Sequence, residues 1–520
     1  MKSICGLVIL TSLLTTVVCA QTTQKGARVY AEITHDVSLP LRDMAKLVLP
    51  LQTKNREIEN RHPKLNIRQT GNGDDAVADN MTLPPVSTTN LLSFDGQAAD
   101  FGIVPPDTEG TVGATQYVQW VNVVYDVYDK TTGSLVLGPV QANALWQGFS
   151  NKSCANHNDG DPIVMYDKAA QRWFFAQTTF ENPFTICIAV STSNDATGSY
   201  NRYAFPTNST NFPDYPKWGV WPDGYYQSYN AYGSTTVSPE VCAADRVNIL
   251  AGNTATIQCF AAGTQYFGLM PSDLDGNTPP PTGSPNYYVS LGNDTSHLNL
   301  WQFHVDFTNP TNSTFTGPVA LSVPAYTLIC ADGNNFACIP QPSPGEKIDS
   351  LSGEIMYRFA YRNLGSYESL LVSHVAKPGT GSKATGAVRW YEIRSPKTPV
   401  LFQSGTIQNA AASLWMSSLA QDKNGDIAVG YSATSSTLDP SIYYSGRVPT
   451  DPVGKMEAPF QVVKGGGVQT SGGNRWGDYS AMQIDPADDC TFWYTQEYYK
   501  TTSASGWSTR INSFKFKSCN

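Results

Sequence analysis

Five aspartates stand just ahead of short apolar runs that are far apart in the chain: Asp107 in PPDTEGTV, Asp161 in DGDPIVMYD, Asp214 in PDYPKWGV, Asp349 in IDSLSGEIM and Asp478 in RWGDYSAMQI. A sixth run of the same kind, WMSSLAQD, has Ser417 in that place. Close to them in sequence lie the cations Lys217, Arg358, Arg362 and Arg475 and the rings of Trp218, Trp415, Trp476 and Tyr479. If a fold gathers these groups, two carboxylates facing one another can act as acid and base, or acid and nucleophile, on a glycosidic bond. Guanidinium groups would seat an acidic sugar, and flat rings would stack on sugar faces. On that chemistry Asp161, Asp214 and Asp478 are the acid/base candidates. Asp107, Lys217, Trp218, Asp349, Arg358, Arg475, Trp476 and Tyr479 are the candidate substrate-binding residues. The same ring of carboxylates could instead hold calcium through its oxygens. An Asp ahead of a strand also serves simply to accept backbone N–H groups in a turn.

What would gather them is a repeat. Copies of the pattern start near 105, 159, 213, 348, 415 and 475, with a weaker copy, SPNYYVSLGNDTSHLNLWQFHV, from 284. Successive copies are roughly 50 to 70 residues apart, near the range expected of propellers and other arrays. Inside one copy, PIVMYD, RWFFAQTTF, TICIAVSTS and NRYAFP read as four short strands separated by polar turns. Four antiparallel strands make one propeller blade. The sequence therefore predicts an all-β chain: a seven-bladed β-propeller over 90–520, with six blades as the alternative and an N-terminal leader or extension. Innermost strands of such a ring run in one direction, so residues just before them meet at one mouth. The last copy has only three strands, YSAMQI, TFWYTQEYY and STRINSFKF; the segment NLLSFDGQ at 90–97 is expected to supply its fourth and so remove open edges.

The totals narrow the setting. A formal charge of -9 and a pI near 5.2 argue against a nucleic-acid partner, which would call for a basic face. The opening MKSICGLVILTSLLTTVVCAQ reads as an export signal over 1–20, with a lipid anchor at Cys19 as the competing reading. No later apolar run reaches the ~20 residues of a spanning helix. Residues 21–89 read as a leader or linker, with a small packed extension as the alternative. Eight cysteines follow the signal, an even number that suggests disulfides after export. Neighbours are expected to pair: Cys154 with Cys187, Cys242 with Cys259, Cys330 with Cys338, and Cys490 with Cys519. None lies in a CxxC pair, so zinc is not expected. A monomer that is secreted, periplasmic or held at the cell surface is the expected state.

Other constellations carry less. Asp167, Asp223, Asp422, Asn424, Asp426, Asp485, Asp488 and Asp489 fall in turns between strands; DKNGD at 422–426 imitates the start of a calcium loop but lacks its downstream Glu. His157, His297, His304 and His374 show no metal-ligand spacing, and SDLDGNTPPPTGSPN at 272–286 reads as a loop. Glu497 stands between Tyr494 and Tyr498 as either a buried acid or an outward polar residue.

DYPKWGVWPDGYY at 214–226 and RWGDYSAMQIDPADDCTFWYTQEYY at 475–499 resemble a group of uncharacterised exported bacterial proteins loosely grouped with sialidase-like (BNR-type) propellers. The resemblance runs from about Pro105 to Cys519 and implies the fold and export. The chain departs from sialidases at two points. Their repeated Ser-x-Asp-x-Gly-x-x-Trp box is not intact here, with GDIAVGY and DCTFWY standing in its place, and their three-Arg site has no residue-by-residue match among Arg358, Arg362, Arg389 and Arg475. The functional expectation is a secreted glycan-active enzyme, either a glycosidase or a polysaccharide lyase. The alternative is a non-catalytic extracellular module binding carbohydrate or a surface protein, with calcium as its candidate stabiliser.

Overall fold

A computed structural model describes residues 22–45, 67, 78–79, 83–99, 103–207, 210–330, 337–379, 383–471 and 473–519. The export signal expected over 1–20 lies outside the described residues. Strands dominate. Many are buried on both faces, as in Thr185–Ser191 (TICIAVS) and Ser413–Gln421 (SLWMSSLAQ), which explains why they read as near-continuous runs of apolar and small residues.

Among the described residues the chain folds into seven four-stranded antiparallel units. Their first strands are Thr108–Val112, Ile163–Asp167, Phe212–Val220, Met270–Asp275, Met356–Asn363, Ser413–Gln421 and Ala481–Ile484. Each first strand lies beside that of the next unit, and the seventh lies beside the first, which closes a ring. The fourth and fifth even pair in parallel, Ser272 to Asp275 against Phe359 to Arg362. The last unit takes its fourth strand from Thr88–Ala98, which pairs with Trp507–Phe516. The four neighbouring cysteine pairs, Cys154–Cys187, Cys242–Cys259, Cys330–Cys338 and Cys490–Cys519, are bonded.

The fourth unit corrects the sequence reading. Its first strand is Met270–Asp275, overlapping a stretch that reads as a loop, and the run from 284 holds its second and third strands, Asn286–Leu291 and His297–His304. MPSDLD escapes notice because a Pro and two acids do not look like a buried strand. The acids are buried because Arg358 of the fifth unit neutralises both. Its guanidinium donates to Asp273 Oδ2 at 2.7 and 2.9 Å and to Asp275 Oδ1 and Oδ2 at 2.8 and 3.0 Å.

Residues 22–44 are packed rather than separate. Thr22–Lys25 adds a fifth strand to the fourth unit, Arg28–Ala31 to the third and Thr34–Val37 to the second. The short helix Leu41–Met44 then buries Leu41 and Met44 in a core shared with Trp120, Trp146 and Trp173 of the first and second units. Further on, Ala78–Asp79 pairs with the outer strand of the fifth unit, and Pro85 bridges to Ala458, just ahead of the fourth strand of the sixth, Phe460–Val463. This N-terminal belt covers strand edges that would otherwise be open templates for association. Deleting residues 22–37 should leave the ring folded but aggregating, visible as a high-mass fraction in size-exclusion chromatography with light scattering; a monodisperse deletion would show that the edges need no cover.

Candidate active site

The site begins with an unusual backbone angle. Asp107, Asp161, Tyr215, Gly268, Leu351, Met416 and Asp478 each have φ between 47° and 57°, one shortly before or, for Tyr215 and Met416, within the first strand of each unit. Non-Gly residues adopt this left-handed region infrequently, Asp and Asn more readily than others. For Tyr215, Leu351 and Met416 it is a strained conformation that the surrounding packing must hold. The chain therefore makes a left-handed turn at or near the first strand seven times, and three of the seven turning residues are aspartates.

At the mouth the side chains of several units come together. Asp161 and Asp214 are partly exposed, while Asp107 and Asp478 are buried. Asp161 Oδ2 accepts the Tyr215 backbone N–H at 3.1 Å, and the Tyr215 hydroxyl donates to the Asp478 carbonyl at 3.1 Å. Asn122 Nδ2 donates to Asp107 Oδ2 at 3.2 Å. Arg475 forks onto the Asp478 carboxylate. Lys217 is buried with its ammonium 3.5 Å from the Tyr215 ring centre and 3.9 Å from that of Tyr479, and it donates to the Pro216 carbonyl at 3.2 Å. The Tyr479 hydroxyl reaches across to the Pro162 carbonyl at 3.0 Å.

Crowding buried acids together favours their neutral forms. Burial, and then the charge of Asp161, push Asp214 up to about 8 against the pull of Arg475. Burial and the charges of Asp478 and Asp161 push Asp107 well above the carboxylate range. Burial raises Asp478 too, with Arg475 opposing. Burial lowers Lys217, opposed by Asp161, Asp107, Glu109 and Asp478.

Three expected binding residues are placed elsewhere. Trp218 is buried with its ring 5.1 Å from that of Phe174, in the core between the second and third units. Trp476 is buried between Trp415 and Tyr499 and donates its indole N–H to Ser432 at 3.3 Å. Arg358 is consumed by Asp273 and Asp275. In each case a large side chain that could stack on or clamp a sugar instead fills a seam between sheets. Asp349 is near Asp478 electrostatically, but it is buried and accepts the Leu351 N–H at 2.8 Å, fixing its own turn. It lies two residues before the left-handed position, as Asp214 lies one before it, and in the sixth unit that position belongs to Met416 rather than Ser417.

Glu109, Tyr215 and Glu354 also belong with these groups, and sequence reasoning misses them. Glu109 is the second residue of the first strand, Thr108–Val112, which Asp107 precedes at the left-handed turn. Glu354 acts on both Asp214 and Tyr215. Glu497 is a fully buried acid, pushed well up by burial. Among the described residues no group of three or more His, Cys, Asp or Glu side chains is placed to hold a metal ion.

No family model matches the chain, and neither does any curated protein. Among solved structures it is similar to the Trypanosoma rangeli sialidase in complex with sialic acid, at 11% identity and a TM-score of 0.32, over 69% of this chain and 54% of that one, about half the sialidase's length. It is also similar to the polysaccharide lyase Uly1, at 9% identity and a TM-score of 0.36, over 95% and 100% of the two chains. A GH43 endo-arabinanase from Bacillus licheniformis is similar at 13% identity and a TM-score of 0.25, over 57% and 96%. At these values none of the three carries a residue role or a reaction.

Proposed function

We propose that the chain is a secreted glycosidase, its seven units the blades of one propeller, acting on a glycan at the mouth where Asp161 and Asp214 meet. The observation that carries this reading is Asp214: a carboxyl group still open to solvent, held at about 8 and therefore protonated at neutral pH, beside the partly exposed carboxylate of Asp161. A general acid needs both access and a proton, and hydrolysis of a glycosidic bond needs a second carboxylate beside it. Asp214 would protonate the departing sugar oxygen. Asp161 would attack the anomeric carbon or activate water for that attack. Asp478, pinned by Arg475, sets the field around the pair. The blade reading is supported by the closed order of first strands and by the left-handed residue that recurs at or near each of them. Export is supported by the four disulfides together with the apolar N-terminus; among the described residues no helix is long and apolar enough to cross a membrane.

A lyase finds less support, because it must neutralise a uronate carboxylate and the Arg475 guanidinium already faces Asp478. A non-catalytic binder would display ring faces, whereas Trp218, Trp415 and Trp476 are all buried. The test is a screen of the purified mature protein on neutral, amine-bearing and acidic polysaccharides. For any substrate cleaved, kcat/KM should fall as pH rises through about 8, where Asp214 loses its proton. A rate that climbs through that range would assign the acid role elsewhere.

A further inference from the structure

We propose that the outer edge of the first unit is a strand acceptor and that its occupant is residues 46–49 of the same chain, KLVL. The first observation is an edge without a cover. Belt segments pair with the outer strands of the second, third, fourth and fifth units, whereas among the described residues no strand pairs with the outer side of Leu135–Gln141, the fourth strand of the first unit. Leu135 and Val136 are 51% and 50% exposed there, an apolar edge of the kind that templates pairing. The fourth unit shows what such an edge takes. Its outer strand, Thr314–Ser322, begins TFTGPV where that of the first unit begins LVLGPV. In both strands the Gly, Gly317 or Gly138, has φ of 139° and lies where the pairing with the third strand slips register. In the fourth unit the four residues up to that Gly, 314–317, pair with Thr22–Lys25, and Phe315 is buried with Thr314 and Thr316 half-buried. The equivalent four in the first unit, 135–138, carry the same bulge and lack that partner among the described residues.

The course of the belt selects the occupant. Residues 22–25, 28–31 and 34–37 cover the fourth, third and second units in turn, each antiparallel to the strand it covers, so the next unit in line is the first. The helix Leu41–Met44 packs beside Ala142–Trp146, the short helical turn that follows Leu135–Gln141, and Ala45 and Leu137 rest on the same apolar cluster. At Ala45 the chain has therefore reached the C-terminal end of the open edge, where an antiparallel strand would begin. Its next residues are Lys46, Leu47, Val48 and Leu49, and then Pro50, which cannot continue a ladder. On the register of the fourth unit Lys46 would face Gly138 and Leu49 would face Leu135. The side chains agree with this. In the fourth unit a polar strand meets a polar edge, with Thr316 Oγ1 donating to Thr23 Oγ1 at 3.2 Å. An edge made of Leu135, Val136 and Leu137 calls instead for an apolar partner, as residues 47–49 are.

The experiment is hydrogen–deuterium exchange of the purified full chain, read by mass spectrometry at two protein concentrations. In the parent, amides at 47–49 should exchange about tenfold or more slowly than in the free peptide AKLVLPL, as paired strand amides do. Exchange at the peptide's rate overturns the proposal whatever the variants do. Amides at 135–138 should exchange about tenfold or more slowly in the parent than in a Leu47→Asp, Leu49→Asp double variant, whose segment no longer suits an apolar edge. Thr53→Asp, placed beyond Pro50, should leave them as in the parent. The buried strand Ser413–Gln421 should stay protected throughout, which separates local release from misfolding. Equal exchange at 135–138 in parent and double variant overturns the proposal, and so does an equal loss of protection in Thr53→Asp. Protection at 135–138 that grows with protein concentration and survives the double change overturns it too, because a second copy of the chain would then be the occupant.

Discussion

Asp214→Asn should lower kcat/KM for glycan cleavage about 10²–10⁴-fold, the span usually supplied by a positioned general acid. Asn keeps the shape and much of the hydrogen bonding of the protonated carboxyl, so the loss should fall on kcat with substrate binding largely retained. The limb near pH 8 should vanish with it. Stability gives a second readout of the same group. A carboxyl raised to about 8 in the fold and near its ordinary value when unfolded makes the folded state bind the extra proton between those two pH values. Stability then declines as pH rises across that window. Asn has no such proton, so the melting temperature of the variant should gain on that of the parent from pH 5 to pH 8. A variant with full activity and a constant difference in melting temperature would remove Asp214 from the mechanism. Asp161→Asn should cost as much activity and also move the alkaline limb to lower pH, because the charge of Asp161 helps to hold Asp214 up.

Replacing Arg358 by Met should damage the fold far more than either aspartate change, by about 3–5 kcal/mol in chemical denaturation, the range for stripping one partner from a buried ion pair. Against the burial that pushes it up, Arg358 and Lys168 hold the Asp275 carboxyl below the usual range, and Asp273 has its own two bonds to the same guanidinium. Without the guanidinium both acids would be buried with one lysine, Lys168, left at 3.4 Å from Asp275. Arg358→Lys should recover only part of the loss, because an ammonium cannot fork onto two carboxylates at once. Removing all three charges together, with apolar residues at 273, 275 and 358, should be milder than Arg358→Met alone. If the single change proves harmless, the cluster is not what joins the fourth and fifth units.

The strand repeat is readable because burial between neighbouring sheets leaves a period of two and a turn every few residues, both visible in RWFFAQTTF and TICIAVSTS. The fourth unit is not, since MPSDLD is a buried strand only by virtue of an arginine more than eighty residues away. The mouth is half legible. Asp107, Asp161 and Asp478 stand out because a left-handed entry favours Asp, the residue type that also does chemistry. The same turn filled by Tyr215, Leu351 and Met416 leaves no compositional trace, which is why the expected register slips in three units. Trp218 and Trp476 are misplaced for a simpler reason: an indole suits the seam between two sheets as well as it suits the face of a sugar, and sequence does not distinguish them. Glu109 escapes because it lies inside its strand, whereas the acids that stand out precede theirs.

The belt formed by the described residues between 22 and 98 has a consequence for how this molecule is made. Its partner strands emerge one after another during synthesis: Tyr200–Pro206 for Thr34–Val37, then Thr256–Ala261 for Arg28–Ala31, then Thr314–Ser322 for Thr22–Lys25, and last Trp507–Phe516 for Thr88–Ala98. Along residues 22–37 the partners thus become available in the reverse of the segment's own order. A nascent chain stalled before the seventh unit would leave Thr88–Ala98 without its partner and the ring unclosed, both exposed to the quality-control machinery.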